Sequence, residues 1–211
     1  GFGNALNVQR TVRLFERCGA NALQIEDQAM PKRCGHLKGK TLVNPAEVVG
    51  KIKAATDARA SEETLIIART DAIAVEGFSA ALDRAEMFVE AGADVLFIEA
   101  PQDDDQMKTL TAQFRDRVPL LANMVEGGFT PMHDAASLQA MGYKLVIFPG
   151  GLVRARARME QDYFASLKQH GWNQPFANRM LDTVQLNELL GTSGILEDGA
   201  RYDAANFEVK K

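Results

Sequence analysis

Five short apolar runs without polar/apolar alternation are the feature that most restricts how this chain folds. They are rich in Val, Ile, Leu and Phe and lie at residues 22–25, 65–68, 95–98, 120–122 and 145–148. Such a run is typical of a strand buried on both faces, as in a parallel sheet. Amphipathic segments separate the runs, and Asn44-Pro45 and Thr130-Pro131 predict helix starts, since each places a capping residue before a proline. The chain is therefore predicted to alternate strands and helices.

A weak internal repeat supports this alternation. GANALQIE at 19–26 matches GADVLFIE at 92–99 in register, and GYKLVIFP at 142–149 is a looser third copy. Each copy combines a helix-ending glycine, a turn, a buried strand and a distinctive residue at the strand's carboxyl end. Regular β-α alternation occurs in (β/α)₈ barrels and in doubly wound sheets. No G-x-G-x-x-G motif opens a helix after a strand, which favours the barrel.

Five strands are too few to close an eight-stranded barrel, and the sequence opens on GFGN with a helix already under way. We therefore expect a (β/α)₈ TIM-type barrel whose first roughly three β-α units are missing from this chain. Residues 1–170 would form the C-terminal part of the barrel. Residues 171–211 would form a helical arm and tail of the same domain.

Composition restricts the partners. The chain has 24 Lys and Arg against 28 Asp and Glu, a net charge of −4, and so lacks the basic face that nucleic-acid binding needs. No apolar stretch approaches the ~20 residues of a membrane-spanning helix. Two cysteines, Cys18 and Cys34, are too few for a disulfide framework. These features predict a soluble cytoplasmic protein, with Cys18 a small buried residue at a helix end.

Chemically distinctive residues follow the predicted strands. In parallel β/α folds, sites lie at the carboxyl ends of the strands. Those ends carry Glu26 and Asp27, Arg69 and Asp71, Glu99, and Asn123. Each residue alone is consistent with a helix cap or a loop ion pair, but together they indicate a site.

The segment PKRCGH at 31–36 is the sharpest chemical motif. The Cys34 thiol lies between Lys32, Arg33 and His36, whose positive charge should stabilise its thiolate, so Cys34 is a candidate acid, base or nucleophile. The surrounding glycines and lysines are typical of a mobile lid. The alternative is a surface loop with an incidental cysteine.

This motif, preceded by QIEDQ at 24–28, resembles the isocitrate lyase/phosphoenolpyruvate mutase superfamily and its methylisocitrate lyase and 2,3-dimethylmalate lyase branch. ARTDA at 68–72, FIEAP at 97–101 and NMVEGG at 123–128 continue the resemblance in order. It implies a (β/α)₈ barrel that uses Mg²⁺ or Mn²⁺. It also implies cleavage of a 2-hydroxy di- or tricarboxylate into an α-keto acid, such as pyruvate, and a second carboxylate.

The resemblance also implies roles for residues of the loop and of strand 2. Cys34 would protonate the carbanion-like carbon of the departing carboxylate. Gly35 and His36 would shape its surroundings, and Lys32 is a further substrate-binding candidate. Arg69 would bind and polarise the keto-acid half.

Residues of the later strands complete the implied site. Glu99, counted with the catalytic residues, and Asn123 would hold the substrate, while Arg154 would grip its second carboxylate. Glu26 would anchor the water shell of the metal. The direct metal ligands lie in a family Asp-x-Asp-Thr-Gly stretch, of which only the GFGN that follows it is present, so we expect them before this chain.

Two further expectations come from the C-terminal part. Methylisocitrate lyases carry an arginine where this chain has Leu186, just before Asn-Glu-Leu, which favours a dicarboxylate substrate. The family also implies a homotetramer with an exchanged C-terminal helix, for which 178–190 is the candidate; the alternative is a helix folded back on its own barrel. The alternative functions are an oxaloacetate hydrolase or decarboxylase, a phosphonomutase-type enzyme, and a non-catalytic carboxylate-binding barrel.

Overall fold

The computed structural model of the protein describes residues 2–35 and 37–207, and alternates strands and helices as predicted. The strands are β1 (Ala22–Glu26), β2 (Leu65–Thr70), β3 (Val95–Ile98), β4 (Leu120–Asn123) and β5 (Leu145–Ile147). The α-helices are α1 (Ala5–Arg17), α2 (Pro45–Ala58), α3 (Phe78–Glu90), α4 (Asp104–Phe114), α5 (Ala135–Met141), α6 (Gly151–His170), α7 (Thr183–Leu189) and α8 (Thr192–Ala200). Short 3₁₀ turns cover Ala72–Ala74, Gln174–Arg179 and Ala204–Asn206.

The strands form one parallel sheet in the order β1-β2-β3-β4-β5. This sequential order is the one that a β/α barrel uses, whereas a doubly wound sheet reverses its strand order at a switch point. The predicted α/β class with a parallel sheet is confirmed.

The two faces of the sheet differ in how they are covered. One face carries Leu23, Ile66 and Leu96, which are buried beneath the helices. The helices fill this core with Ile52, Phe88, Met107, Leu110 and Phe114. The other face, called the inner face here, carries a smaller cluster formed by Val95, Phe97 and Leu121. The inner face leads to the carboxyl ends of the strands, where the predicted site residues lie.

Burial on both faces, predicted for all five runs, holds for β3 and for residues 120–122 of β4, and is wrong for β1, β2 and β5. Leu65 and Leu145 are 38% and 41% exposed. Both lie on the inner face near the amino ends of their strands, away from the helices that cover the opposite face. The apolar runs thus predicted the strands correctly but overstated their coverage.

Helix boundaries confirm one of the two predicted proline starts. α2 begins at Pro45, and the Asn44 side chain accepts a hydrogen bond from the Ala46 amide. α5 begins at Ala135 instead of residue 131, because Asp134 supplies the cap by accepting from the Ser137 amide. Cys18, predicted to be buried, is exposed where α1 ends.

The chain divides into two compact units, Gly1–Gly151 and Leu152–Lys211. The first contains the sheet. In the second, the Tyr163 ring packs edge-to-face against Phe176 at 5.5 Å between centroids, and Arg179 donates to Asp162 at 2.9 Å. Among the described residues, no helix combines the length and apolar character needed to cross a membrane. The assignment of 1–170 and 171–211 to one domain stays a prediction.

The buried position of β3 predicts that truncating two different leucines will have very different effects on stability. Leu96 is fully buried, whereas Leu6 on α1 is 74% exposed. Leu96→Ala should lower the free energy of unfolding by about 2–5 kcal/mol, and Leu6→Ala should change it by less than about 0.5 kcal/mol. Urea unfolding of both variants measures the difference. Equal losses would contradict the described core.

Candidate active site

Four predicted site residues meet on the inner face at the carboxyl edge of the sheet. In the parallel register Glu26 lies beside Arg69, and Arg69 beside Phe97. Glu99 follows two residues after Phe97, and Asn123 two residues after inner-face Leu121, so both point to the same side. The strand alternation alone therefore gathers Glu26, Arg69, Glu99 and Asn123 from four different strand ends.

Arg69 is the centre of this group. Its Nε donates to Asp71 Oδ2 at 2.9 Å and its Nη2 to Asp71 Oδ1 at 3.0 Å, a bidentate pair. Its Nε lies 3.4 Å from Glu26 Oε2, and its Nη2 lies 3.7 Å from Glu99 Oε2. The guanidinium also stands 4.9 Å above the Phe97 ring. A single cation thus faces three carboxylates and an aromatic ring.

These contacts outweigh the effect of burial on the pKa of Arg69. Burial by itself lowers the pKa of the guanidinium, but the Asp71 hydrogen bonds and the negative charges of Asp71, Glu99 and Glu26 raise that pKa above its ordinary value. Arg69 is therefore a permanent, oriented cation. Such a group is suited to bind a carboxylate or a polarised carbonyl oxygen.

Asp71 is the residue of this site that the sequence reasoning missed as a partner. It stood in the motif ARTDA only as one of several strand-end acids. An acid two residues after an arginine at a strand end shares the arginine's side of the chain, and this spacing is the signal that would have identified the pair.

Glu99 and Asn123 form a second contact within the site. Asn123 Nδ2 lies 3.3 Å and 3.2 Å from the two Glu99 carboxylate oxygens. Within the described part of the chain, the buried Asn123 Oδ1 has no hydrogen-bond partner. A buried acceptor left this way is unfavourable, so the oxygen is available to a hydroxyl or water donor that enters the site.

The backbone after Glu99 turns sharply. Ala100 is 4% exposed and has a φ of 61°, in the left-handed region. A residue other than glycine pays roughly 1–2 kcal/mol to adopt this conformation. The strained turn fixes the direction in which the chain leaves the Glu99 carboxylate.

The loop between β1 and α2 brings Gly35, the chain neighbour of Cys34, to this group. A Cβ added at Gly35 would lie 2.7 Å from Glu99 Cγ and 2.8 Å from Arg69 Nη2. Only glycine therefore fits, and its backbone is in contact with both side chains. Cys34 is its chain neighbour and is exposed with a free thiol. Lys32 lies near as well, with Nζ 3.1 Å from Glu26 Oε1.

The roles of two predicted residues are not tested by the structure. His36 lies outside the described residues. Arg154 lies on α6 in the second compact unit, and its role at the site stays a prediction.

A buried network supports the site from the other face of the sheet. Asp27 is fully buried, and it accepts hydrogen bonds from Thr70 Oγ1 at 2.6 Å, the Asp71 amide at 2.9 Å and Arg84 Nη1 at 3.3 Å. Burial raises the pKa of the Asp27 carboxyl in spite of these donors. Asp27 thus fixes the backbone of Asp71, whose side chain is the partner of Arg69.

Known proteins are similar in sequence to this chain. A family model described as phosphoenolpyruvate phosphomutase matches residues 1–168. The 2,3-dimethylmalate lyase of Eubacterium barkeri is 42% identical over 204 residues, which cover 96% of this chain and 69% of that enzyme. The 2-methylisocitrate lyase of Aeropyrum pernix is 44% identical over 191 residues, which cover 90% of this chain and 61% of that enzyme.

The chain belongs to the phosphoenolpyruvate mutase/isocitrate lyase superfamily. The resemblance inferred from the motifs is confirmed, and both relatives carry the lyase names that it implied. The chain spans 61% of the length of the Aeropyrum enzyme.

Solved structures of the superfamily extend the comparison. A 2,3-dimethylmalate lyase has a TM-score of 0.85 at 33% identity, covering 100% of this chain and 70% of that one. An oxaloacetate acetylhydrolase with 3,3-difluorooxalacetate has a TM-score of 0.85 at 31% identity, covering 96% and 68%. A phosphonopyruvate hydrolase with oxalate and Mg²⁺ has a TM-score of 0.80 at 30% identity, covering 96% and 70%.

The metal found in that superfamily complex can be tested against this chain's residues. In the described part of the chain, no three His, Cys, Asp or Glu side chains are arranged to hold a metal ion. Glu26, predicted to order metal-bound water, is engaged by Lys32 and Arg69. The described residues thus form no metal centre by themselves, and the role of Glu26 stays a prediction.

The network around Asp27 and Arg84 predicts a contribution to stability that is lost at acid pH. Arg84 donates to both Glu76 oxygens at 2.6 and 2.7 Å, and these bonds hold the pKa of the Glu76 carboxyl below its ordinary value. Because the folded-state pKa is lowered, the stabilisation is present at neutral pH and is lost as the pH falls through that value. Glu76→Gln should cost about 1–3 kcal/mol at pH 7, an estimate discounted for the partial exposure of Glu76.

Urea unfolding at pH 7 and at a pH below the lowered pKa of the Glu76 carboxyl measures this contribution. The deficit of Glu76→Gln should shrink at the lower pH. Glu90→Gln, at the exposed last residue of α3, serves as the control and should match the parent at both. A deficit that is independent of pH would contradict the ion-pair explanation.

Proposed function

We propose that this chain carries the active site of a carbon–carbon lyase that cleaves a 2-hydroxy dicarboxylate resembling 2,3-dimethylmalate. The products would be an α-keto acid such as pyruvate and a second carboxylate. The observation that carries the proposal is the contact of Gly35 with Arg69 and Glu99. Through it, the thiol-bearing loop and the oriented cation belong to one site.

The reaction begins when the substrate 2-hydroxyl gives its proton to a carboxylate of the site, a role proposed for Glu99 beside Asn123. The C2–C3 bond then breaks, its electron pair stays on C3, and the C2 oxygen becomes the keto group of the α-keto acid. Negative charge develops at the oxygen first and on the departing fragment afterwards. A fixed guanidinium stabilises such charge without reorganising, and Arg69, held by Asp71, is the group proposed to do so.

Cys34 is proposed to complete the reaction by giving its thiol proton to C3 of the departing fragment. A proton donor on a loop acts efficiently when it reaches the reacting carbon while water is excluded. Glu99 and Asn123 are proposed to hold the substrate, with Asn123 Oδ1 as the acceptor for a substrate hydroxyl. Lys32 and Arg154 would bind carboxylate oxygens of the substrate.

The preference for a dicarboxylate rests on Leu186. This residue lies in α7, and its aliphatic side chain cannot pair with a third carboxylate. The relatives include both a dimethylmalate and a methylisocitrate lyase, so family membership alone leaves the substrate open.

A second candidate reaction is hydrolysis of oxaloacetate or a phosphonate by the same site. It is supported by the likeness to oxaloacetate acetylhydrolase and phosphonopyruvate hydrolase. Pyruvate release from 2,3-dimethylmalate and from 2-methylisocitrate distinguishes the lyase, and consumption of oxaloacetate alone favours the hydrolase. Calorimetric binding of these acids without turnover would favour the non-catalytic alternative.

We also propose that the protein is a cytoplasmic homotetramer with an exchanged C-terminal helix. The segment predicted for exchange, 178–190, contains α7. Val184, Leu186, Leu189 and Leu190 present large apolar side chains that are exposed in this chain. An apolar surface of this kind supports association with another copy.

The role of Cys34 predicts a large loss on conservative substitution. Cys34→Ser should lower pyruvate release from 2,3-dimethylmalate about 10²–10⁴-fold, because a hydroxyl is a far weaker acid than a thiol. Cys18→Ser is the matched control, since this second exposed thiol lies at the end of α1, and it should leave the rate unchanged. Initial rates of both variants decide the matter. Undiminished turnover by Cys34→Ser would remove Cys34 from the mechanism.

We propose that the protein requires Mg²⁺ or Mn²⁺, whose direct ligands the described residues do not supply, and this requirement has its own test. The divalent cation would supply positive charge for the developing oxyanion. Treatment with EDTA should abolish pyruvate release, and addition of MgCl₂ or MnCl₂ should restore it, while CaCl₂ should restore less because it prefers a larger coordination shell. Full activity of the chelated protein would contradict the requirement.

A further inference from the structure

Lys40, a buried lysine in the β1–α2 loop, has no role in the reaction scheme proposed above. Lys40 is 8% exposed, although lysine is rarely buried. Its ammonium donates to the carbonyl oxygens of Gly35 and Leu37, the latter at 3.2 Å. Burying a charge is costly unless it is well hydrogen-bonded, so these two bonds define where the side chain stays.

The two acceptors, Gly35 and Leu37, both follow Cys34 closely in the chain. Gly35 is the residue whose backbone contacts Arg69 and Glu99. The Leu37 amide donates to the Cys34 carbonyl at 2.9 Å and so closes a turn that starts at the cysteine. One ammonium therefore binds two residues of the segment that carries Cys34, Gly35 inside the turn and Leu37 at its end.

The rest of the loop is held elsewhere. The Gln28 side chain bonds the amide and the carbonyl of Arg33, each at 2.9 Å, which fixes the approach to Cys34 from the β1 side. The Ala29 amide donates to the Thr41 carbonyl at 2.8 Å and closes the base of the loop. The stretch after Cys34 is held by Lys40 and, further along, by Arg33 Nη1, which donates to the Lys38 carbonyl at 3.1 Å.

Close packing of neighbouring side chains does not hold this stretch in place of the Lys40 hydrogen bonds. A cavity of about 480 Å³ lies behind the stretch, lined by Leu37 and Lys38 on the loop and by Val75, Ala100 and Phe129 on neighbouring segments. A segment that borders open space on one side lacks the dispersion contacts that would otherwise hold it. Its hydrogen bonds therefore decide its position.

We propose that Lys40 is a positioning residue, which holds the Cys34–Leu37 turn against Arg69 and Glu99 so that the thiol meets the departing carbon. The kinetic part of this inference rests on the proposed lyase function, whereas the structural part does not. A misplaced proton donor slows the protonation step, and displacements of ~1 Å can cost 10²-fold in rate. Substrate binding by Arg69 and Asn123 should be much less affected.

The test compares Lys40→Met with Lys38→Met in the intact protein. Both substitutions remove one ammonium from the same loop, but Lys38 is exposed and its side chain is not the one bound to the turn. Lys40→Met should lower kcat about 10- to 100-fold while KM changes less than about threefold. Amide hydrogen exchange in the peptide covering 34–39 should become faster, and exchange in β1–β4 should not. Lys38→Met should match the parent in all of these, and Lys40→Arg, which keeps the charge and donors, should recover part of kcat.

The exchange measurement separates this inference from the proposed function. Wild-type kcat and wild-type exchange in Lys40→Met would overturn the positioning role and leave the lyase proposal standing. Faster exchange throughout the sheet would also overturn it, because Lys40 would then support the core. If the parent protein releases no keto acid from any substrate, the lyase proposal fails, and loop exchange still tests whether Lys40 holds the turn.

Discussion

The bidentate pair between Arg69 and Asp71 is the interaction on which the site depends. It fixes a cation at the carboxyl edge of the sheet, and Glu26, Glu99 and the backbone of Gly35 are all placed relative to that cation. The pair is held in turn by Asp27 on the opposite face, which binds the Asp71 amide. A charge in this position cannot move to suit a ligand, so the ligand must present its oxygens to the charge. This is the condition that electrostatic preorganisation requires.

Two kinds of support meet in this centre. The side chains that come from the strands are positioned by sheet register and by a close-packed core, neither of which allows much displacement. The Cys34 segment is positioned by hydrogen bonds to Gln28 and Lys40 across a loop that borders a cavity. A rigid half proposed to stabilise charge and an adjustable half proposed to deliver a proton suit a reaction whose charge moves from one atom to another.

Much of the fold and part of the site followed from local patterns in the sequence. The apolar runs identified all five strands, and residues 95–98 were bounded correctly, because a strand buried on both faces leaves an unbroken apolar stretch. The strand-end rule identified Glu26, Arg69, Glu99 and Asn123, since parallel strands deliver their carboxyl ends to one edge. The start of α5 was wrong because Asp134 caps it in place of Thr130.

Other features depend on contacts that no local pattern encodes. Arg84 reaches Asp27 across 57 positions of sequence. Lys40 is buried by the course of its loop, not by apolar neighbours in sequence. The left-handed backbone of Ala100, next to Glu99, could not be inferred from an alanine before a proline. Exchange of that alanine for glycine would relieve its conformational strain and at the same time loosen the chain beside the carboxylate. A substitution of Ala100 that raises thermal stability is therefore expected to disturb the geometry of the site. Attempts to stabilise the protein should keep this alanine.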